Sequence, residues 1–387
     1  MSFVQYLNYY PTYDLLDMAL SMSNKSDLRL FIDLKGCFQS LYQKWAIEQI
    51  LNESKISQKV DPSPLYSVLY FLSFHNLYAK KRNIKIKYYF FLESGDSDYH
   101  KNIYKHYKKS RKSRTTLFDF DETDTSLYFK ILRKNYEIMQ KIINRIPNCY
   151  FIYLKNMEAD FISYFLINKI LKDELLNCCN LIYSSDKDMI QCLESENAYQ
   201  YVKTVKTRKI LHKSNALNYF FKEELYTPDI YFYLFPVIMA IVGDNSDDIP
   251  NLKKGIGFKT IIKNLKELKE YIPDINELYE KILSNQKSVL ERPRTNNKLL
   301  NIIYENQENF IRNLKLISFE LLSYYFVNEC SINVYEKLKN FKETLYNLED
   351  KKLSSWKSLY LVLNNLVPLD LNIEKSVIQN LFLKELL

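Results

Sequence analysis

GDNSDDIPNLKKGIGFKT, Gly243 to Thr260, holds three of the five glycines of a 387-residue chain within eighteen positions. Asp244, Asp247 and Asp248 crowd its first half, where carboxylates brought together repel one another unless a cation neutralises them. In its second half Pro250 favours a turn, and Gly255 and Gly257 permit close backbone approach. A helix is expected to begin near Phe258. The N–H groups of such a start, with Lys253, Lys254 and Lys259 beside them, suit a phosphate. Neither GxxxxGK[ST] nor GxGxxG occurs, so this is not a Walker loop or a dinucleotide fingerprint.

Outward from this stretch, short apolar runs alternate with helical patterns. LRLFIDL, IKIKYYFFLES, CYFIYL and LNCCNLIYSSD read as buried strands. PTYDLLDMALSMS, FQSLYQKWAIEQIL, PLYSVLYFLSFHNLYAKK and SLYFKILRKNYEIMQKIINRI carry helical spacing. Such alternation predicts an α/β fold with a parallel sheet, whose ligands gather at the carboxyl edge of the strands. From about residue 264 the pattern becomes charged and helical throughout, in LKELKEYI, INELYEKILSN, NFIRNLKLISFELLSYYF and INVYEKLKNFKETLYNL. The expected organisation is an extension over 1–27, a core over 28–235, a turn-and-helix element over 236–265, and an all-helical region over 266–387.

Acidic residues recur where the expected strands end. Asp33 ends LFID, Glu93 ends YYFFLE, and Glu158 and Asp160 follow FIYLKN. Asp186 and Asp188 follow LIYSS, and Asp244 and Asp247 follow the apolar run that begins at Tyr231. Any one of these could cap a helix or turn, as Glu158 is placed to do. Together they form an oxygen-only set suited to hard Mg²⁺ or Mn²⁺ rather than zinc. Between Glu93 and the next strand, YHKNIYKHYKKSRKSR (Tyr99 to Arg114) carries five lysines and two arginines with no acid, so an anionic substrate is the natural partner. Lys101, Lys105, Lys108, Lys109 and Arg111 can neutralise phosphates, and Tyr107 can stack on a base.

A hydrophobic content of 47% supports a packed core, and the net charge of +8 is compatible with a polyanionic partner. The six cysteines lack zinc spacing, and the longest apolar run, Tyr231 to Gly243, is too short to span a bilayer. A monomeric cytoplasmic protein with reduced thiols and no membrane partner is expected.

These residues resemble the flap endonuclease and 5′→3′ exonuclease superfamily, especially its phage and bacterial members, over residues 28 to 265. FIDLKG resembles the first metal-binding strand, YKKSR the YKxxR of the helical arch, and MEADF the EADD motif. YSSDKDMIQ resembles the SxDxD segment, and GDNSDDIPNLKKGIGFKT the GDxSDNIPGxxGIGxKT signature. The resemblance implies a PIN-like nuclease core with a helical arch (about 95–125), a helix–three-turn–helix element and a helical carboxyl-terminal region. It implies one metal among Asp33, Glu93, Glu158 and Asp160, and a second among Asp186, Asp188, Asp244 and Asp247. Lys108 and Arg111 would contact the scissile phosphate and Tyr107 would stack near the reacting nucleotide. Lys253, Lys254, Gly255, Gly257, Lys259 and Thr260 would grip duplex phosphates, with Ser246 helping to hold a K⁺ ion. Four departures stand out: Glu93 for aspartate, Phe161 for the second aspartate of EADD, His100 for arginine and Asp248 for asparagine. The implied activity is metal-dependent hydrolysis of branched or 5′-ended DNA, giving 5′-phosphate products, in primer or flap removal alongside replication proteins. Exonucleolytic action on RNA–DNA hybrids, or branched-DNA binding by a decayed nuclease, are the alternative readings.

Overall fold

The computed structural model describes residues 12–34, 36–37, 63–92, 98–110, 133, 135–153, 157–203, 207–222, 228–286, 288–328, 352–355, 357–359, 379 and 381. Glu93, Arg111, the FQSLYQKWAIEQIL helix and the INVYEKLKNFKETLYNL helix lie outside them.

Six strands form one sheet: β1 (Asp27–Asp33), β2 (Ile86–Leu92), β3 (Cys149–Tyr153), β4 (Cys178–Tyr183), β5 (Ala198–Lys203) and β6 (Arg208–Leu211). Their order is β3-β2-β1-β4-β5-β6; the pairings from β3 through β5 are parallel, and β6 runs antiparallel to β5. The chain first builds outward from β1 through β2 to β3, then returns to place β4 on the other side of β1. That reversal opens a crevice at the carboxyl ends of β1 and β4, where the acids were expected.

Period-two alternation divides the strands between two cores. Phe31, Tyr89, Phe91, Tyr150, Ile152 and Ile182 face one side, and Leu30, Ile32, Tyr88, Phe90, Phe151 and Leu181 face the other. The second face is covered by α1 (Tyr13–Ser23) and α2 (Ser63–Arg82), through Leu16, Ala19, Val68, Leu69 and Leu72. The first face is covered by α4 (Ala159–Phe165) and α6 (Phe235–Val242), which follow α3 (Asp98–Ile103) and α5 (Lys213–Phe221) in the chain.

Two features depart from the sequence reading. The strands β5 and β6 were not anticipated, because AYQYVK and RKIL carry lysine and glutamine among their apolar residues. The buried Gln200 fits because its amide donates to Ser184 O at 2.9 Å and to Asp186 O at 2.7 Å. The apolar run before Gly243 is helical rather than a strand, a 3₁₀ segment (Pro228–Leu234) leading into α6. Seven consecutive α6 residues, Phe235 to Ile241, are buried, so no polar face advertises its period. Asp244 and Asp247 therefore enter the site from a helix end, not from a strand end.

After the glycine-rich stretch come α7 (Phe258–Ile262), α8 (Leu265–Tyr271), α9 (Ile275–Leu283), α10 (Lys298–Glu305), α11 (Gln307–Ile317) and α12 (Phe319–Asn328). NFIRNLKLISFELLSYYF is thus two helices broken at Ser318. These helices share the sheet's first core: Leu268, Ile303, Phe310 and Leu314 belong to the same cluster as Phe31. The buried Asn313 joins α11 to α6, its amide donating to Ala240 O at 2.9 Å and Pro250 O at 2.8 Å. Phe161, 1% exposed, packs its ring 5.7 Å from Phe165 and 6.2 Å from Phe319. An apolar residue stands there because the side chain faces this helical layer.

Two substitutions test the packing. Phe161→Asp would bury a carboxylate and lose the aromatic contacts, lowering stability by at least about 3 kcal/mol in chemical denaturation. The second concerns His75, which is fully buried on α2. Its Nδ1 donates to Phe71 O at 2.7 Å, and the Tyr183 hydroxyl donates to Nε2 at 2.6 Å. Burial, only partly opposed by the Phe71 carbonyl, takes its pKa from 6.5 down to about 3. The folded value lies below the unfolded one, so the stability this ring contributes is full above 6.5 and is lost as pH falls toward 3. Urea unfolding over that range should show a slope of up to roughly 1.4 kcal/mol per pH unit from this residue, which His75→Gln removes.

Candidate metal centre and phosphate-binding surface

Four separate segments bring seven of the eight expected acids to the carboxyl edge of the sheet; the eighth, Glu93, is outside the described residues. Asp33 closes β1, its Oδ1 accepting the Gly36 N–H at 3.0 Å and its Oδ2 facing the Ser184 hydroxyl at 3.4 Å. The same hydroxyl accepts the Asp186 N–H at 3.1 Å, so the ends of β1 and β4 are joined through Ser184. Asp186 Oδ1 in turn accepts the Asp188 N–H at 3.1 Å. Gln200, holding Ser184 O and Asp186 O, fixes this turn from β5.

Glu158 precedes α4 and Asp160 lies in its first turn, where the unpaired N–H groups favour negative charge. No side-chain cap is made by Glu158, so its carboxylate is available to the site. Burial, then Glu158 and Asp186, push the Asp160 carboxyl well above the ordinary range. Burial, then Asp186 and Asp244, do the same to Asp188. Carboxylate oxygens of Asp188, Asp244 and Asp247 all lie within 4.8 Å of one another.

The Gly243–Thr260 stretch supplies the last two acids through a tight loop. Gly243 has φ +74°, and a Cβ there would lie 2.5 Å from Asn251 N, so only glycine fits. Asp244 and Ile249 form an isolated bridge, each donating its N–H to the other's carbonyl at 2.8 Å. Burial alone would raise the Asp244 carboxyl, but hydrogen bonds from Lys187 and Ser246 outweigh it and hold the pKa below the usual value. Lys187 Nζ lies 2.6 Å from Asp244 Oδ2, and the Ser246 hydroxyl donates to Oδ1 at 2.6 Å. The Ser246 hydroxyl is thus directed at Asp244. Sequence reasoning passed over Lys187, although its place between two acids in SDKD was a usable signal.

Over its described residues, 99–110, the basic segment runs from a short helix into a turn over 105–108 and is helical again at 109–110. After α3 the chain turns, and Lys108 takes the left-handed conformation with φ 53°. This brings Lys108 Nζ within 2.5 Å of Glu158 Oε1 and 3.6 Å of Asp247 Oδ2, with the side chain 7% exposed. Tyr107 Oη lies 3.2 Å from Asp247 Oδ2 and from both Glu158 oxygens. Burial, then Glu158 and Asp247, hold this phenol protonated. The ring, 4% exposed, stacks on buried His100 at 4.6 Å and 15°. Burial takes the His100 pKa down to about 4 against the opposing pull of Glu158, which leaves a neutral ring beneath Tyr107.

Two further bonds join this turn to the glycine-rich stretch. The Lys108 N–H donates to Asp247 O at 2.9 Å, and the Ser110 N–H donates to Asp248 Oδ2 at 2.7 Å. Among the expected phosphate contacts, Lys105, Lys109, Lys253, Lys254 and Lys259 are exposed, while Lys101 is half-buried. Gly255 has φ +91° with open space around it, and Gly257 and Thr260 are half-buried at the start of α7. Ile256, buried between the two glycines, anchors the turn so that its backbone remains at the surface.

The donor set fits a hard divalent cation. Asp188 Oδ1 is buried and has no hydrogen-bond partner among the described residues, an arrangement that a cation would satisfy. The neighbouring ligands are all carboxylates, and among the described residues no cysteine or histidine joins the cluster.

No protein-family model and no curated protein sequence matches the chain. Solved structures do. The chain is similar to the bacteriophage T5 protein co-crystallised with metal ions, at TM-score 0.55 and 15% identity, covering 83% of this chain and 99% of that one. It is similar to the T5 5′-exonuclease with bound divalent zinc ions, at TM-score 0.54 and 17% identity, covering 84% and 99%. A pseudo-enzyme–product complex of the T5 flap endonuclease with DNA and metal ions matches at TM-score 0.53 and 16% identity, again covering 84% and 99%. Identity at this level speaks for backbone architecture, and the chain has the fold of the 5′ nucleases.

Proposed function

We propose that this chain is a metal-dependent, structure-specific 5′ nuclease that cleaves branched or 5′-ended DNA. The observation that carries the reading is the carboxylate cluster at the sheet edge, with Lys108 inserted between Glu158 and Asp247. Structural acids are usually dispersed or paired one to one; here acids from four chain segments share one crevice. Mg²⁺ or Mn²⁺ would be held by Asp33, Glu158, Asp160, Asp186, Asp188, Asp244 and Asp247, together with Glu93. When bound, such cations supply Lewis acidity toward the phosphodiester and lower the pKa of water.

The protein's own residues divide the remaining work. Lys108 presents positive charge to the phosphate, and Arg111 follows it in sequence for the same purpose. Tyr107 keeps its proton and orients Glu158 and Asp247. Lys187 and Ser246 hold Asp244 ionised and in place. Exposed Lys253, Lys254 and Lys259, with the open turn at Gly255, grip the duplex through its phosphates and so select structure without reading bases. Flap or primer removal in replication and repair is the corresponding role.

A labelled 5′-flap duplex incubated with Mg²⁺ should yield products with a 5′ phosphate. Asp186→Asn and Lys108→Ala should each lower the rate by about 10²-fold or more. Equal cleavage by Asp186→Asn and the wild type would sink the metal assignment. Thermal unfolding gives a check independent of activity. In chelator, Asp188→Asn should be more stable than the wild type by about 1 kcal/mol, since one repelling carboxylate is gone. Saturating Mg²⁺ should stabilise the wild type by about 2–3 kcal/mol at a hundredfold excess over Kd, and the variant distinctly less.

A further inference from the structure

Asp248 is a third carboxylate in a loop that already contributes Asp244 and Asp247 to a crowded acidic site. An additional negative charge there is unfavourable unless it serves another purpose. Its Oδ2 accepts the Ser110 N–H at 2.7 Å. Ser110 is the last described residue before RKSR, and the Lys108 turn lies two residues behind it. The adjacent backbone bond, Lys108 N–H to Asp247 O at 2.9 Å, makes the attachment two-point. Both attached segments use left-handed backbone, φ 53° at Lys108 and 59° at Asp248, a conformation uncommon for non-glycine residues and least so for Asn and Asp. Asp248 itself sits in a loop closed by the Asp244–Ile249 bridge and by Leu252 N–H donating to Ile241 O at 3.0 Å. The loop is therefore a firm anchor, and the Lys108 turn is the part that is held.

We propose that Asp248 is a positioning residue: its carboxylate clamps the Ser110 amide to the acidic loop and thereby keeps the Lys108 ammonium aimed into the site. This rests on the nuclease reading above for its catalytic consequence, but the clamp itself has an independent readout. The clamp joins the basic segment to the loop that continues into the glycine turn. One short stretch thus carries metal ligands, the fixing point for the phosphate-directed lysine, and the duplex grip.

Two substitutions separate the clamp from charge and from backbone strain. Glycine and asparagine both accept left-handed φ, but only asparagine keeps a side-chain oxygen at this position. In the full chain, Asp248→Gly should lower kcat on the flap substrate about tenfold through loss of orientation, with KM and duplex Kd within about twofold of wild type. Asp248→Asn should restore kcat to within about threefold of the wild type, since its oxygen accepts the same N–H. Independently of turnover, Lys108, buried in the wild type, should be acetylated by an amine-directed reagent at least about fivefold faster in Asp248→Gly than in the wild type or Asp248→Asn, as local opening exposes it. Peptide mass spectrometry reads that rate, and circular dichroism confirms that each variant is folded. Unchanged Lys108 labelling in folded Asp248→Gly overturns the clamp, as does an Asp248→Asn variant that behaves like Asp248→Gly. A wild-type chain that does not cleave, with labelling as expected, overturns the nuclease reading and leaves the clamp standing.

Discussion

Mutual repulsion among carboxylates at one end of a parallel sheet is the constraint on which the rest of this structure depends. Asp160 and Asp188 have their pKa values driven up by burial and by neighbouring acids, so the site is electrostatically uncomfortable by itself. It persists because every element around it is anchored. Lys187 and Ser246 hold Asp244, Tyr107 bridges Glu158 and Asp247, and Gln200 and Ser184 fix the turn after β4. The cores on both sheet faces supply the stability against which that repulsion is maintained.

The departures from the 5′-nuclease pattern make sense in the same terms. Phe161 occupies a position that faces α12, where an aromatic ring contributes packing and a carboxylate would be buried without a partner. His100, kept neutral by burial, stacks beneath Tyr107 and packs against it as an aromatic ring. Asp248 retains a side-chain acceptor for the Ser110 amide. Each substitution follows the local surroundings, and none removes one of the described carboxylates that form the cluster.

Much of the site was legible because its residue types carry their chemistry with them. Asp33, Asp186 and Asp188 could be placed by noting where an apolar run ended in an acid, and the helix start after Gly257 was marked by its glycines. The same rule misread the run before Gly243, since a fully buried helix and a fully buried strand look alike in hydropathy. β5 and β6 escaped notice because Gln200 and the lysines interrupt their apolar pattern. The Gln200 amide N–H groups are taken up by carbonyls from β4's loop, partners no local window contains.

By itself, the sequence determined the α/β class, the parallel strands β1 to β4, the identity of the acids and the glycine turn, because period-two burial and scarce glycine are local properties of a chain. Only the tertiary structure decided that Asp244 and Asp247 arrive from a helix, and that Tyr107 and Lys108 point inward among the acids. The tertiary structure also assigned Lys187, Gln200 and Asp248 to support of the site. Those outcomes turn on pairings between residues such as Tyr107 and Asp247, Lys187 and Asp244, or Ser110 and Asp248. Their energies exist only once the fold has closed the distance, and a side chain's own chemistry does not name its partner.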